Sequence, residues 1–185
     1  MSAIDHYLSK PWLAHYAKGV PATVEVPLKS IPQMFDEATR RDPGRTAVVF
    51  YGRSITYAEL RESTDRMANA LAGLGVRKGD CVALYLLNSP QFIIAYFAAL
   101  KCGATVTPIS PVYTSHEVRY QLQDSGARVV FCQDILYEKV EKAGVALDHV
   151  VVTSVNEYLP ALKRMFARKA DVGGKVHWLQ DLLKA

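Results

Sequence analysis

Phosphate binding is the first chemistry to test, because glycines crowd one stretch at Gly73, Gly75 and Gly79. A glycine-rich nucleotide loop follows a strand and opens a helix, so that the first helix amides meet the phosphates. These glycines instead follow a helical pattern and precede an apolar strand-like run, which is the arrangement of a helix stop and turn. The sequence contains neither a GxxxxGK(S/T) loop nor a GxSxG elbow. His6, His15, His116, His149 and His177 are scattered, with no HExxH and no Cys/His ligand spacing. Acidic residues spread over several helix faces and suggest no carboxylate pair. Cys81, Cys102 and Cys132 each lie in or beside an apolar run, and no CxxC occurs, so they read as buried reduced thiols. No residue is therefore assigned a catalytic, cofactor-binding or metal-binding role.

The elements around these residues form a scaffold. Half of the 185 residues are apolar and 22% are charged, which is ordinary for a globular chain able to bury a core. A net charge of +4 without a long basic run does not indicate nucleic-acid binding. The basic residues Lys163, Arg164, Arg168, Lys169 and Lys175 gather late in the sequence, as a solvated face or an interfacial membrane helix would. Met1 to His6 has no apolar signal-peptide core. The longest apolar stretch, Phe92 to Leu100, is far shorter than the ~20 residues that span a bilayer. With reduced thiols, this predicts a cytoplasmic protein with at most peripheral membrane contact.

Four units are expected. Residues 1–45 form an arm and a short helix over Gln33 to Arg41, with Met34 and Ala38 on one face. Residues 46–75 hold a hairpin, Thr46 to Tyr51 returning as Ser54 to Thr56, and a helix opened by a Thr56/Glu59 capping box. That helix carries Leu60, Thr64, Met67, Leu71 and Leu74 at helical spacing.

Residues 76–155 repeat strand and helix, with strand starts at 82, 104, 129 and 150 and one helix in each gap. Ser89 caps the first of these helices, with Pro90 behind it and an apolar face of Phe92, Ile93, Tyr96, Phe97 and Leu100. Thr114 and Glu117 form a second capping box, and Asp134 caps the last helix. Strands this apolar need cover on both faces, which predicts a parallel sheet of order 2-1-3-4. Residues 156–185 are read as an amphipathic helix from Asn156 to Arg168, with Leu159, Leu162, Met165 and Phe166 on one side, then a short extension. The fold class is α/β: a parallel sheet with helices on both faces plus a small β-hairpin.

A resemblance adds the function. Ile55-Thr56-Tyr57-Ala58-Glu59-Leu60 resembles the first core motif of the adenylate-forming superfamily. Leu100-Lys101-Cys102-Gly103-Ala104-Thr105-Val106-Thr107-Pro108-Ile109 resembles the second, with Cys102, Thr107 and Ser110 departing from the usual residues. Gly75-Val76-Arg77-Lys78-Gly79-Asp80-Cys81-Val82-Ala83 and Asn88-Ser89-Pro90-Gln91-Phe92 look like the family's segments between them. Lys10-Pro11-Trp12-Leu13, Tyr16, Gly19-Val20-Pro21 and Pro111-x-Tyr113-Thr114 look like bacterial long-chain fatty-acid CoA ligases.

The resemblance implies the N-terminal portion of the large domain of an AMP-forming acyl-CoA synthetase. The parent would activate a fatty acid as acyl-AMP and pass it to CoA, using ATP and Mg²⁺. The family's phosphate loop, metal-binding Glu, ribose-binding Asp and mobile-domain Lys all lie downstream of the matched region, so none is carried onto this chain. The chain alone is expected to lack cofactors and activity, its partner being the downstream remainder of the synthetase. The alternative is a stand-alone, non-enzymatic α/β module that binds a partner or a membrane surface.

Overall fold

The computed structural model describes residues 2–165, 167 and 170–184. It opens with helix α1 (Ala3–Leu8) and a 3₁₀ turn over Pro11–His15. Helix α2 spans Ile31–Arg41 and starts earlier than expected, because Ser30 and Gln33 form a reciprocal capping box ahead of Pro32. Its buried face carries Phe35 and Thr39, whereas Met34 is exposed.

Strands β1 (Thr46–Phe50) and β2 (Arg53–Thr56) pair antiparallel as a separate two-stranded sheet. Tyr51 and Gly52 join them, both at positive φ, 50° and 85°. That places both loop residues in the conformation of a type I′ turn, whose twist matches the flanking strands. Helix α3 (Tyr57–Gly73) follows directly, with Thr56 and Glu59 exchanging the expected capping bonds. Leu60, Thr64, Met67 and Leu71 form its buried stripe, while Leu74 lies half-buried past its end.

The main sheet then builds from β3 (Cys81–Tyr85), α4 (Pro90–Lys101), β4 (Thr105–Pro108), α5 (Ser115–Ser125) and β5 (Val129–Gln133). It continues through α6 (Tyr137–Ala143) and β6 (His149–Thr153), then α7 (Ala161–Met165), β7 (His177–Trp178) and α8 (Leu179–Leu182). The strand order is β4-β3-β5-β6-β7, with every neighbouring pair parallel. The four expected strands stand in the expected order, and β7 adds a two-residue fifth at the edge.

Side chains alternate across the sheet with the two-residue period of a strand. Val82, Leu84, Val129, Phe131 and Val151 enter the core shared with α3 and α4. Ala83, Tyr85, Val130, Cys132 and Val152 enter the core shared with α5 and α6. Pro108 occupies the outer strand β4, where a missing N–H leaves no gap in the ladder.

Three local expectations change. In α4 the face against the sheet is Gln91, Ile94, Ala95, Ala98 and Ala99, and the aromatic side is only half-buried. Small residues let the helix approach the sheet, while Phe97 stacks on Phe35 at 4.1 Å. Ser89 holds the N-cap position of α4 but donates or accepts no side-chain cap bond. Asp134 opens a 3₁₀ turn, Asp134–Leu136, rather than capping α6.

The expected helix over Asn156 to Arg168 is broken. A 3₁₀ turn covers Val155–Tyr158, Leu159 is extended, and α7 runs only over Ala161–Met165. Pro160 explains the break, since proline drives the residue before it out of the helical region. Leu162 and Met165 are exposed instead of forming a buried side. Phe166, Arg168 and Lys169 lie outside the described residues.

Candidate functional site

In an open parallel sheet the chemistry-bearing crevice lies outside the carboxyl ends of the strands, at the point where strand order reverses. Here the chain leaves β3 for β4 and then returns across β3 to β5, so the reversal lies between β3 and β5. Polar side chains collect at that edge. Gln133 ends β5, and its Oε1 accepts from the Leu87 amide beyond β3 at 3.4 Å. Gln91, in the first turn of α4, donates from Nε2 to the Ser154 carbonyl beyond β6 at 2.8 Å. Asp134 accepts from the Ala170 amide at 3.1 Å, and Thr153 donates from Oγ1 to Glu157 at 2.7 Å.

Gln91, Gln133 and Thr153 are fully buried, and Ser89, Asp134 and Ser154 nearly so. Ser89 Oγ, Gln91 Oε1 and Gln133 Nε2 have no hydrogen-bond partner among the described residues. An unsatisfied buried polar atom costs about 1–3 kcal/mol, so three within one edge mark it as different from the rest of the core. Sequence reading placed Ser89 and Asp134 as helix caps and Gln91 in a family segment, but marked none of them, nor Gln133, as a site residue. The available signal was two glutamines placed inside otherwise apolar runs, one just after a strand and one just after a helix start.

The motif residues serve the scaffold. Lys101 is 15% exposed and lies 2.5 Å from both Asp36 and Asp65, so it clamps α2, α3 and α4 together. Burial alone would lower its pKa, but the two carboxylates outweigh that and raise it. Glu59 and Glu117 sit in two Thr-x-x-Glu capping boxes, where bonds from Thr56 and Thr114 hold their carboxyls below the usual range. Gly75 and Gly79 adopt positive φ after α3, and Gly79 donates to the Gly103 carbonyl at 3.2 Å. Gly73 ends α3, and Gly75 and Gly79 turn the chain from helix to strand.

The thiols are poor nucleophiles. Burial raises the pKa of Cys81 and of Cys102, and burial with nearby Asp134 pushes Cys132 up to about 12. Of the scattered histidines, the fold brings two together: Nδ1 of His149 lies 3.2 Å from Nε2 of His177.

Residues 35–178 match the profile of the AMP-binding enzyme family. The chain belongs to that family. It is 35% identical to the long-chain-fatty-acid–CoA ligase of Bacillus subtilis strain 168 over 84% of its own length and 28% of that protein's. A solved long-chain-fatty-acid-CoA ligase from Archaeoglobus fulgidus superposes with a TM-score of 0.70 at 26% identity, covering 91% of this chain and 32% of that one. A benzoate CoA ligase from Burkholderia xenovorans LB400 superposes at 0.65 and 26% identity, covering 77% and 29%. The chain thus spans between a quarter and a third of the length of the proteins it matches.

A metal–triphosphate group needs converging carboxylates and a cradle of amides. Among the described residues, no three of His, Cys, Asp and Glu converge on one point. The polar edge beside β3 and β5 offers amides and hydroxyls, and its carboxylates, Asp134 and Glu157, already accept from Ala170 and Thr153. These residues do not by themselves fit a metal–triphosphate group. Among the described residues no helix is long and apolar enough to cross a membrane.

Proposed function

We propose that this chain is the N-terminal scaffold of a cytoplasmic long-chain fatty-acid CoA ligase, a protein that activates a fatty acid as acyl-AMP and transfers it to CoA. The observation that carries this reading is the similarity to the Bacillus subtilis ligase over 84% of the chain. The ATP, Mg²⁺, fatty acid and CoA sites are completed by the downstream remainder of the synthetase. The contribution of this region is a rigid sheet whose polar carboxyl edge forms one wall. The unpartnered atoms of Ser89, Gln91 and Gln133 support that placement, because they would find partners in a completed site.

The test is ATP–pyrophosphate exchange with a panel of fatty acids. The purified 185-residue chain is expected to be silent. Supplying the downstream segment is expected to produce exchange that depends on the acid. Exchange by the isolated chain would overturn the scaffold reading.

A second reading is a non-enzymatic module with peripheral membrane contact. The observation favouring it is the arm before α2, where Ile4, Tyr7, Leu8, Val24, Val26 and Leu28 are all strongly exposed. It predicts sedimentation with anionic vesicles that weakens as salt rises. No binding at low salt would dismiss it.

A further inference from the structure

Strands β6 and β7 each open with a histidine, His149 and His177. Their ring centroids lie 5.2 Å apart, with the planes inclined at 59°. The facing nitrogens, Nδ1 of His149 and Nε2 of His177, are 3.2 Å apart. The other nitrogen of His149, Nε2, lies 3.0 Å from the carbonyl oxygen of Leu74. A carbonyl oxygen only accepts, so that nitrogen carries the hydrogen. In neutral His149 the lone pair is then left on Nδ1, facing His177.

We propose that His149 Nδ1 and His177 Nε2 form a two-imidazole binding site for a divalent transition-metal ion of the zinc type. The geometry points there in three ways. Zinc–imidazole bonds are about 2.0–2.1 Å long, and two such bonds across the observed gap enclose an angle of about 100°, close to tetrahedral. The rings need not move apart to accept the ion. The Leu74 carbonyl also does what outer acceptors do in metal sites, fixing the tautomer and aiming the ring. When His177 keeps its hydrogen on Nδ1, its Nε2 supplies the second lone pair.

The surroundings set the limits of the site. Asp80, Asp148 and Arg128 line the crevice beside His149, and Asp148 pairs with Arg128 at 2.5 Å. Lys175 acts on His177 from the loop before β7 and opposes a cation. No third His, Cys, Asp or Glu converges among the described residues, so water fills the remaining positions. Two imidazoles with water favour Zn²⁺, Ni²⁺ or Cu²⁺ over Mg²⁺ or Ca²⁺, which take oxygen ligands. A bound ion would bridge β6 to β7, whose strands pair at Val151–His177 and Val152–Trp178.

A simple N–H···N hydrogen bond between the rings would give the same spacing, so the two readings are separated by added metal. The probe is ZnCl₂ titrated into the purified chain, followed by imidazole nitrogen NMR and thermal unfolding. The expected result is one equivalent bound with saturation below about 1 mM, shifts at His149 Nδ1 and His177 Nε2, and a raised Tm. His177→Gln is expected to lower the affinity at least about tenfold, and His116→Gln to leave it unchanged. His149→Gln also removes the Leu74 bond, so the folded His177→Gln variant and the nitrogen shifts decide. Unchanged binding in His177→Gln would overturn the proposal. So would metal-induced shifts confined to other histidines or cysteines, or the absence of saturable binding up to about 1 mM.

Discussion

The β3–β6 body and the β1–β2 hairpin are both made of short strands of four or five residues, yet they are held in different ways. Every strand of the body has a neighbour on at least one side and a helix layer on each face. The hairpin has one partner strand apiece and one buried side chain, Ile55, with Ala47, Val48 and Phe50 only partly covered. A two-stranded ribbon is marginal by itself, so its order depends on α3 and on whatever else covers it. The lesson is that strand propensity creates the element, while two-sided burial makes it rigid.

Substitutions can break this comparison. Leu84→Ala, at a fully buried position in β3, is expected to cost about 2–5 kcal/mol in urea unfolding. Val49→Ala in the hairpin, where the side chain is 67% exposed, is expected to change stability by less than about 0.5 kcal/mol. Equal effects would erase the distinction. Lys101→Ala tests the clamp between the helices. Removing it leaves Asp36 and Asp65 facing each other without their shared cation, and a loss of about 1–3 kcal/mol is expected.

Hydrogen exchange sharpens the same contrast without mutation. Amides of Val48 to Ser54 should exchange faster than those of Val82 to Tyr85. Matching protection in a monomer would mean that the ribbon is as well supported as the body.

Smaller effects come from the caps and the turn. The Glu59 carboxyl is held below its ordinary value of 4.5 by Thr56. Its contribution is therefore present above the unfolded-state value and is lost as pH falls through the lower folded value. Glu59→Gln should flatten the acid limb of stability against pH, and an unchanged limb would remove the cap from the account. Tyr51 sits at φ 50°, where a side chain with a Cβ is strained. Tyr51→Asn should raise stability by about 0.5–1 kcal/mol, because Asn-Gly suits this turn.

Much of the body could be read from the residues. Apolar runs at regular intervals, Thr-x-x-Glu boxes at Thr56 and Thr114, and glycines after helices all act locally, so sequence carries them. The helix expected over Asn156 to Arg168 follows the apolar periodicity of that stretch, which Pro160 interrupts. The face of α4 was misjudged because aromatic residues look like core. Alanines won the sheet side by letting the backbone come close.

The candidate site was largely illegible for a related reason. Gln133 and Gln91 gain their meaning from Leu87 and Ser154, 46 and 63 residues away in sequence, and neither glutamine belongs to a catalytic spacing pattern. His149 and His177 are 28 positions apart and meet only because β7 adds beside β6.

The strand order has a consequence for how the protein is made. After the single crossing from β4 back to β5, each later strand joins the edge laid down just before it. A chain emerging from the ribosome can therefore extend the sheet in the order of synthesis, without reopening any pair already formed. β3 alone waits through the synthesis of another strand, β4, before its second neighbour β5 arrives, and it is buried from Val82 to Tyr85. During that interval α3 is already complete and able to shield one face. A nascent chain halted before Val129 should thus bind chaperones through β3, and one extended past Gln133 should release them.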